Sequence, residues 1–258
     1  MMVRTLLVRG MLAGLLAGFL ALGFAEVFGE PQVDRAITFE EQEARINHES
    51  LGPDLVSRDV QKSAGLAVAV AIYATAFGGL FALAYAVAYG RLGQLSPRAT
   101  AALLAAGGFV AAVLAPFLKY PANPPSIGNP ATIDRRTTLY FLMLGLSVLA
   151  AIGVVSLGRL LLPRIGAWNA AVLAGAAFIV AIAVVQLALP TVNEVPAGFP
   201  ATVLWRFRLA SLGTQLVLWT AMGLVFGALT ERSLRAARAP RSASARAVRP
   251  APPAQSNC

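Results

Sequence analysis

The chain is poor in the side chains that most site chemistry needs. It has one cysteine, Cys258, and one histidine, His48, in 258 residues. A disulfide framework within one chain is therefore impossible. A prenylation box fails as well, because Cys258 is the last residue and not the fourth from the end. A zinc-protease helix needs two histidines and is excluded. Lysine occurs only as Lys62 and Lys119, and neither follows the glycine-rich run of a nucleotide-binding P-loop. No nucleophile stands with a base partner, so the chain does not read as an enzyme. Charge is scarce too: 13% of residues are charged and 57% are hydrophobic. A soluble domain carries roughly 25% charged residues, and a water-soluble globule is ruled out.

What is present is long apolar sequence. Ala99 to Leu118, Thr137 to Gly158, Ala167 to Leu189 and Leu209 to Thr230 hold no Asp, Glu, Lys or Arg, and Ser63 to Gly90 is a fifth such run. A hydrocarbon core of ~30 Å takes about 20 residues of helix to cross, which each run supplies. A sixth candidate, Thr5 to Phe28, has Arg9 and Glu26 near its ends, where charges can snorkel to the interface. The expected fold is all-α, a polytopic membrane helix bundle. It has about six spans, at 5–28, 63–90, 99–118, 137–158, 167–189 and 209–230, or five if the first is discounted. The first segment also has the basic start, apolar middle and small-residue end of a secretory signal. Against cleavage, Gly10, Gly14 and Gly18 form a small-residue ridge suited to close helix packing. Gly223 and Gly227 form another such pair.

Orientation follows the basic residues, which stay cytoplasmic in short loops. With the amino end inside, six spans put 12 of the 21 basic residues inside and 11 of the 12 acids on or beside the outer face. Both termini are then cytoplasmic. The net charge of +9 comes largely from Arg232 to Arg249, in a tail without apolar periodicity. We read 1–232 as the membrane domain and 233–258 as a disordered, basic cytoplasmic tail. Contact with anionic lipid, at about 1 kcal/mol per basic residue near the surface, accounts for such a tail without nucleic acid.

The outer side carries the elaborate connections. In the polar segment 29–62, Pro31 suits a first helical turn, and Val33, Ala36, Ile37 and Ala44 recur at helical spacing. This predicts an amphipathic helix at the outer interface. Gly52-Pro53 interrupts the pattern, and Asp54 or Ser57 can cap the next helix. The connections Lys119 to Pro130 and Pro190 to Pro200 are proline-rich and stiff. Binding residues concentrate in loops of this kind.

Three strings, GEPQVDRAI (Gly29 to Ile37), FLKYPANPP (Phe117 to Pro125) and NEVPAGFPATVLWRFRLASLGTQLVLW (Asn193 to Trp219), resemble the CbtA family of probable cobalt transporter subunits. The resemblance runs from about Val3 to Ser233. It implies a bacterial inner-membrane protein of cobalt uptake linked to cobalamin biosynthesis. It also implies a small single-span partner, CbtB, with a histidine-rich end. The family is often described with five spans, and the first is the one to discount. No cofactor is expected to stay bound, and cobalt(II) is the implied cargo.

Cobalt(II) favours imidazole, with carboxylate and carbonyl oxygen as further ligands. With one histidine, this chain would supply a pathway and some carboxylates, and a partner would bring imidazoles. Glu26, Glu30 and Asp34 have i, i+4, i+8 spacing, one face if the helix runs through Pro31. Glu26 stands out because it lies a turn inside the span, although a snorkelling acid would look the same. His48 beside Glu49, with Glu40, Glu41 and Glu43 nearby, is either a metal-capture group or a solvated loop and charged helix face. Glu194 joins Glu26, Glu30, Asp34 and His48 as a metal candidate, an acid at the entrance with Arg206 as its counter-ion. Asp134, Arg136 and Arg206 suit gating or counter-ion roles; plain salt bridges among these outer charges are the alternative. Gln186, Thr75, Ser147, Gln215 and Thr220 suit hydrogen bonds between helices. Tyr73, Trp168, Trp205 and Trp219 suit the membrane interfaces. Two functions remain open: a metal-transport subunit, or a non-transporting scaffold that docks partners through its outer loops.

Overall fold

The structure, a computed structural model, describes residues 3–48, Val60 and 64–238. The Gly52-Pro53 break, the caps at Asp54 and Ser57, and the tail beyond Arg238 lie outside the described residues. Among the described residues six helices make up the bundle: α1 (Val3–Phe28), α2 (Glu30–Ile46), α3 (Leu66–Ala88), α4 (Pro97–Lys119), α5 (Ile133–Ala188) and α6 (Ala201–Arg238). There is no strand among the described residues. All but α2 are long and apolar enough to cross a membrane. This is an all-α membrane helix bundle.

Local sequence sets the boundaries. Ser96 caps α4 by accepting the Ala99 N–H at 3.2 Å, with Pro97 in the first turn. At α5, 56 residues at about 1.5 Å each would reach ~84 Å, far beyond one membrane thickness. Gly166 resolves this with φ 78° and ψ 165°, a conformation open to glycine because it has no Cβ. The chain folds back there into two antiparallel arms. Ala174 Cβ lies 3.4 Å from where a Cβ on Gly158 would stand, and Met143 shares an apolar cluster with Ile182. The five long apolar helices, with α5 folded back at Gly166, thus make six apolar passes. The ambiguous span is this hairpin and not the first segment, because α1 is central to the packing.

Apolar lipid gives helices little hydrophobic reason to associate, so close van der Waals fit decides their packing. The α1 ridge supplies that fit against α3. A Cβ at Gly14 would overlap the Ala74 carbonyl and stand 2.9 Å from Gly78 Cα, and one at Gly10 would stand 2.6 Å from Ala82 Cβ. Gly18 faces Ala74, and Gly78 is the reciprocal contact on α3. The second pair works the same way between α6 and α4. A Cβ on Gly223 would lie 2.6 Å from Ala105 Cβ, and one on Gly227 3.1 Å from Arg98 Cα. The core joins Ala13, Ala17 and Ala21 of α1 to Phe81 and Tyr85 of α3, Ala101 and Ala105 of α4, and Trp219, Met222 and Phe226 of α6.

The α5 hairpin stands outside this core and docks on α4 at one level. Pro116 has no N–H to donate, and residues Val110–Leu114 widen into a π-turn in which the Ala115 N–H bonds the Val110 carbonyl. The Ala111 carbonyl is thereby left without its usual helical donor, and the buried Ser147 hydroxyl of the first arm donates to it. Gln186 of the second arm donates Nε2–H to the Ala115 carbonyl at 3.2 Å.

Several expectations need correction. Thr75 bonds the Ala71 carbonyl of its own helix, so it does not bridge helices. Thr220 is exposed. Trp219 is buried in the core, whereas Tyr73, Trp168 and Trp205 are exposed. Residues 233–238 continue α6 as helix instead of opening a tail, since no breaker precedes Pro240.

Candidate functional site

The long connections 120–130 and 190–200 lie with α2 at one end of the bundle, here the loop end. The short turn 89–96, Gly166 and the ends Val3 and Arg238 lie at the other. Two adjoining cavities run inward from the loop end. The mouth, about 460 Å³, is lined by Asn123, Arg136, Thr137, Asn193, Glu194 and Arg208. It shares Tyr120, Pro121, Tyr140 and Phe141 with a deeper chamber of about 800 Å³. The chamber is largely apolar, with the aromatic rings of Tyr73, Phe77, Phe207 and Trp219 in its wall, and besides tyrosine hydroxyls its polar side chains are Glu30, Ser211, Thr214 and Gln215. Trp219 meets Phe77 edge-on at 4.9 Å between ring centres at the chamber floor. Deeper still, Phe226 packs edge-on with Phe81 at 5.4 Å and with Tyr85 at 4.9 Å. Tyr85, Met222 and Phe226 are almost wholly buried, so packed side chains close the chamber at its floor, while its side is partly open, with Tyr73 and Phe141 of its lining exposed.

Glu194 ties the mouth together. Its carboxylate accepts the Asn129 N–H at 2.8 Å and the Thr132 hydroxyl at 2.7 Å, and pairs with Arg136 Nε at 3.4 Å. Arg136 also donates to the Asn129 carbonyl at 3.3 Å. Its guanidinium lies against Gly128, where φ is 118° and a Cβ would stand 2.6 Å from Arg136 Cζ. The Asn129 N–H, the Thr132 hydroxyl and the Arg136 and Arg135 charges hold the Glu194 carboxyl below the usual carboxylate range. Arg208 donates to Asn123 Oδ1 at 2.9 Å and to the Ala122 carbonyl at 3.4 Å. The Tyr120 hydroxyl donates to the Pro190 carbonyl at 2.8 Å, and that of Ser126 to the Ala36 carbonyl at 3.2 Å. An apolar cap of Ala36, Ile127, Phe199 and Val203 joins α2 and both loops to α6.

The acids marked in the sequence disperse. Gly29 keeps right-handed helical angles, and its N–H bonds the Ala25 carbonyl at 2.7 Å, so the chain passes from α1 to α2 with little break. Glu30 alone of the three faces the chamber, partly buried, while Glu26 and Asp34 are exposed. His48 is exposed just past the end of α2. No three of His, Cys, Asp and Glu converge among the described residues. Asp134 is exposed in the first turn of α5, where a negative charge suits the helix dipole. Arg206 is exposed and is not the counter-ion of Glu194. Arg136 takes that part, because Arg206 and Arg208 sit at different angles around α6 and only Arg208 turns inward. At the opposite end, Glu231 is held between Arg98, at 2.9 Å, and Arg235. Its signal was visible as the one acid on the arginine-rich side of the chain.

A bundle of apolar passes around a chamber reached through a polar mouth defines a multi-pass membrane protein with a vestibule. The chain belongs to the CbtA family, described as "Probable cobalt transporter subunit", which matches residues 3–231. No curated protein and no solved structure matches the chain.

Proposed function

We propose that this chain forms the translocation pathway of a cobalt(II) uptake system in the bacterial inner membrane. The loop end faces outward and both termini are cytoplasmic. A small single-span partner carrying histidines supplies the imidazoles that this chain lacks, and the imported metal serves cobalamin biosynthesis. The supporting observation is the chamber: a polar mouth leads to a largely apolar space with Glu30 on its wall, and packed aromatic rings close its floor. Such a cavity suits a solute that enters from one side and waits for a rearrangement.

The test is cellular accumulation of cobalt and nickel with the chain alone, a histidine-bearing single-span partner of the CbtB kind alone, and both together. Uptake is expected only when the chain is present and to be highest with both. Glu30→Gln is expected to reduce uptake several-fold with the protein still in the membrane. A scaffold would leave metal accumulation unchanged by that substitution, and no metal-dependent difference in any arm overturns the proposal.

A further inference from the structure

The charge at the mouth is the wrong sign for a bare dication. Arg136, Arg208 and Glu194 line it, giving a net charge of +1. Arg136 is already paired with Glu194. Arg208 is partly buried, its two hydrogen bonds go to the neutral acceptors Asn123 Oδ1 and the Ala122 carbonyl, and among the described residues no carboxylate pairs with it. A guanidinium has five N–H donors in a planar fork, so most of that fork is left to meet a ligand. Arginine in this state recognises carboxylate oxygens, commonly with two parallel bonds.

Size and lining point the same way. A metal ion with six waters, at ~30 Å³ per water, fills about 180 Å³. The chamber beneath the mouth is about 800 Å³ and largely apolar, with several aromatic rings in its wall, a volume and surface suited to an organic molecule. Its carboxylate, Glu30, lies on the chamber wall, below the cationic mouth.

We propose that Arg208 holds the carboxylate of a small organic acid, and that the metal enters the chamber as a carboxylate chelate and not as the aquo ion. This rests on the transport reading above and names the form of its cargo. The organic acid supplies most of the metal's ligands, so the chain needs no cluster of its own at this level. Arg208 acts as the anion anchor and specificity residue of the mouth.

The experiment uses the full chain in lipid nanodiscs and titrates cobalt(II) alone, citrate alone and equimolar cobalt(II)–citrate. The chelate is expected to bind at least about tenfold more tightly than either component. Arg208→Gln is expected to abolish that preference. Because Arg208 also braces the 120–130 loop, Asn123→Asp is the second variant. It keeps the loop contact but sets a carboxylate on the guanidinium, and it is expected to abolish the preference as well. Arg206→Gln, which removes an exposed charge two residues away, is expected to change nothing. Equal binding of cobalt(II) alone or of citrate alone overturns the proposal, as does unchanged chelate binding in Arg208→Gln and Asn123→Asp. Loss of chelate binding when anionic lipid is added to the discs marks a headgroup site and also overturns it. Cellular uptake separates the two levels. Dependence on the chain with no effect of chelation or Arg208→Gln removes this inference alone, whereas no dependence on the chain in either medium removes the transport reading.

Discussion

Two kinds of residue make sharp demands in this molecule: glycines that let backbones touch, and Glu194, which gathers three partners. At Gly14 even a methyl group would meet the Ala74 carbonyl and the Gly78 backbone, neither of which can swing aside. Overpacking of this kind costs about 1–3 kcal/mol, so Gly14→Ala is expected to lower the thermal midpoint of the detergent-solubilised protein. Gly23→Ala, on the same helix with nothing near its absent Cβ, is expected to be neutral or slightly stabilising. Equal midpoints for the two variants would show that α1 and α3 do not touch as described. Glu194 carries the pH prediction. Its folded-state pKa is lowered, so its contribution to stability is present above the ordinary glutamate range and is lost as pH falls through the lowered value. The midpoint of the unaltered protein should therefore exceed that of Glu194→Gln near neutral pH, and the two should converge in acid. A constant gap in a pH series of melting curves would refute the assignment.

At the scale of the element, α4 shows how one proline places another helix. Pro116 cannot donate, the turn before it widens, and the Ala111 carbonyl becomes the acceptor for Ser147. Interhelical hydrogen bonds in membranes are worth about 1 kcal/mol. Ser147→Ala is expected to cost that much and to speed hydrogen exchange in both arms of α5 more than in α1, while Ser147→Thr, which keeps the hydroxyl, should restore protection. Uniform exchange across the bundle in Ser147→Ala would refute the docking role. The apolar runs, the two glycine ridges and the amphipathic α2 were legible in the sequence, because each is a local pattern that periodicity reports directly. The π-turn was not read, although Pro116 inside an apolar run was its signal. Nor was the opposing role of Gly78, since which glycines face each other depends on the register between helices.

For the whole molecule, the part of the site written in local sequence was the concentration of polar, proline-rich connections at one end. Which charges would meet there was not. Glu194 joins residues 58 to 65 positions away, and the choice of Arg136 over Arg206 rests on how α5 and α6 are rotated in the bundle. The chamber also has no local signature, because its walls come from α1, α2, α3, α4, α5 and α6 together. Its shape makes a strong statement about access. Ser211 and Thr214 line the chamber, and Met222, one turn below Trp219, is wholly buried beneath the floor. In a Cys258→Ser background, Ser211→Cys and Thr214→Cys are expected to react with an impermeant thiol reagent added from the loop side, whereas Met222→Cys is not. The floor itself is Trp219, whose ring presses on Gly108 and meets Phe77. Trp219→Ala removes that ring without adding bulk, so Met222→Cys should become reactive in the Trp219→Ala background from the same side. Labelling of Met222→Cys with Trp219 in place would mean that the path is open through the bundle, and failure of Ser211→Cys to react would mean that the mouth does not lead into the chamber.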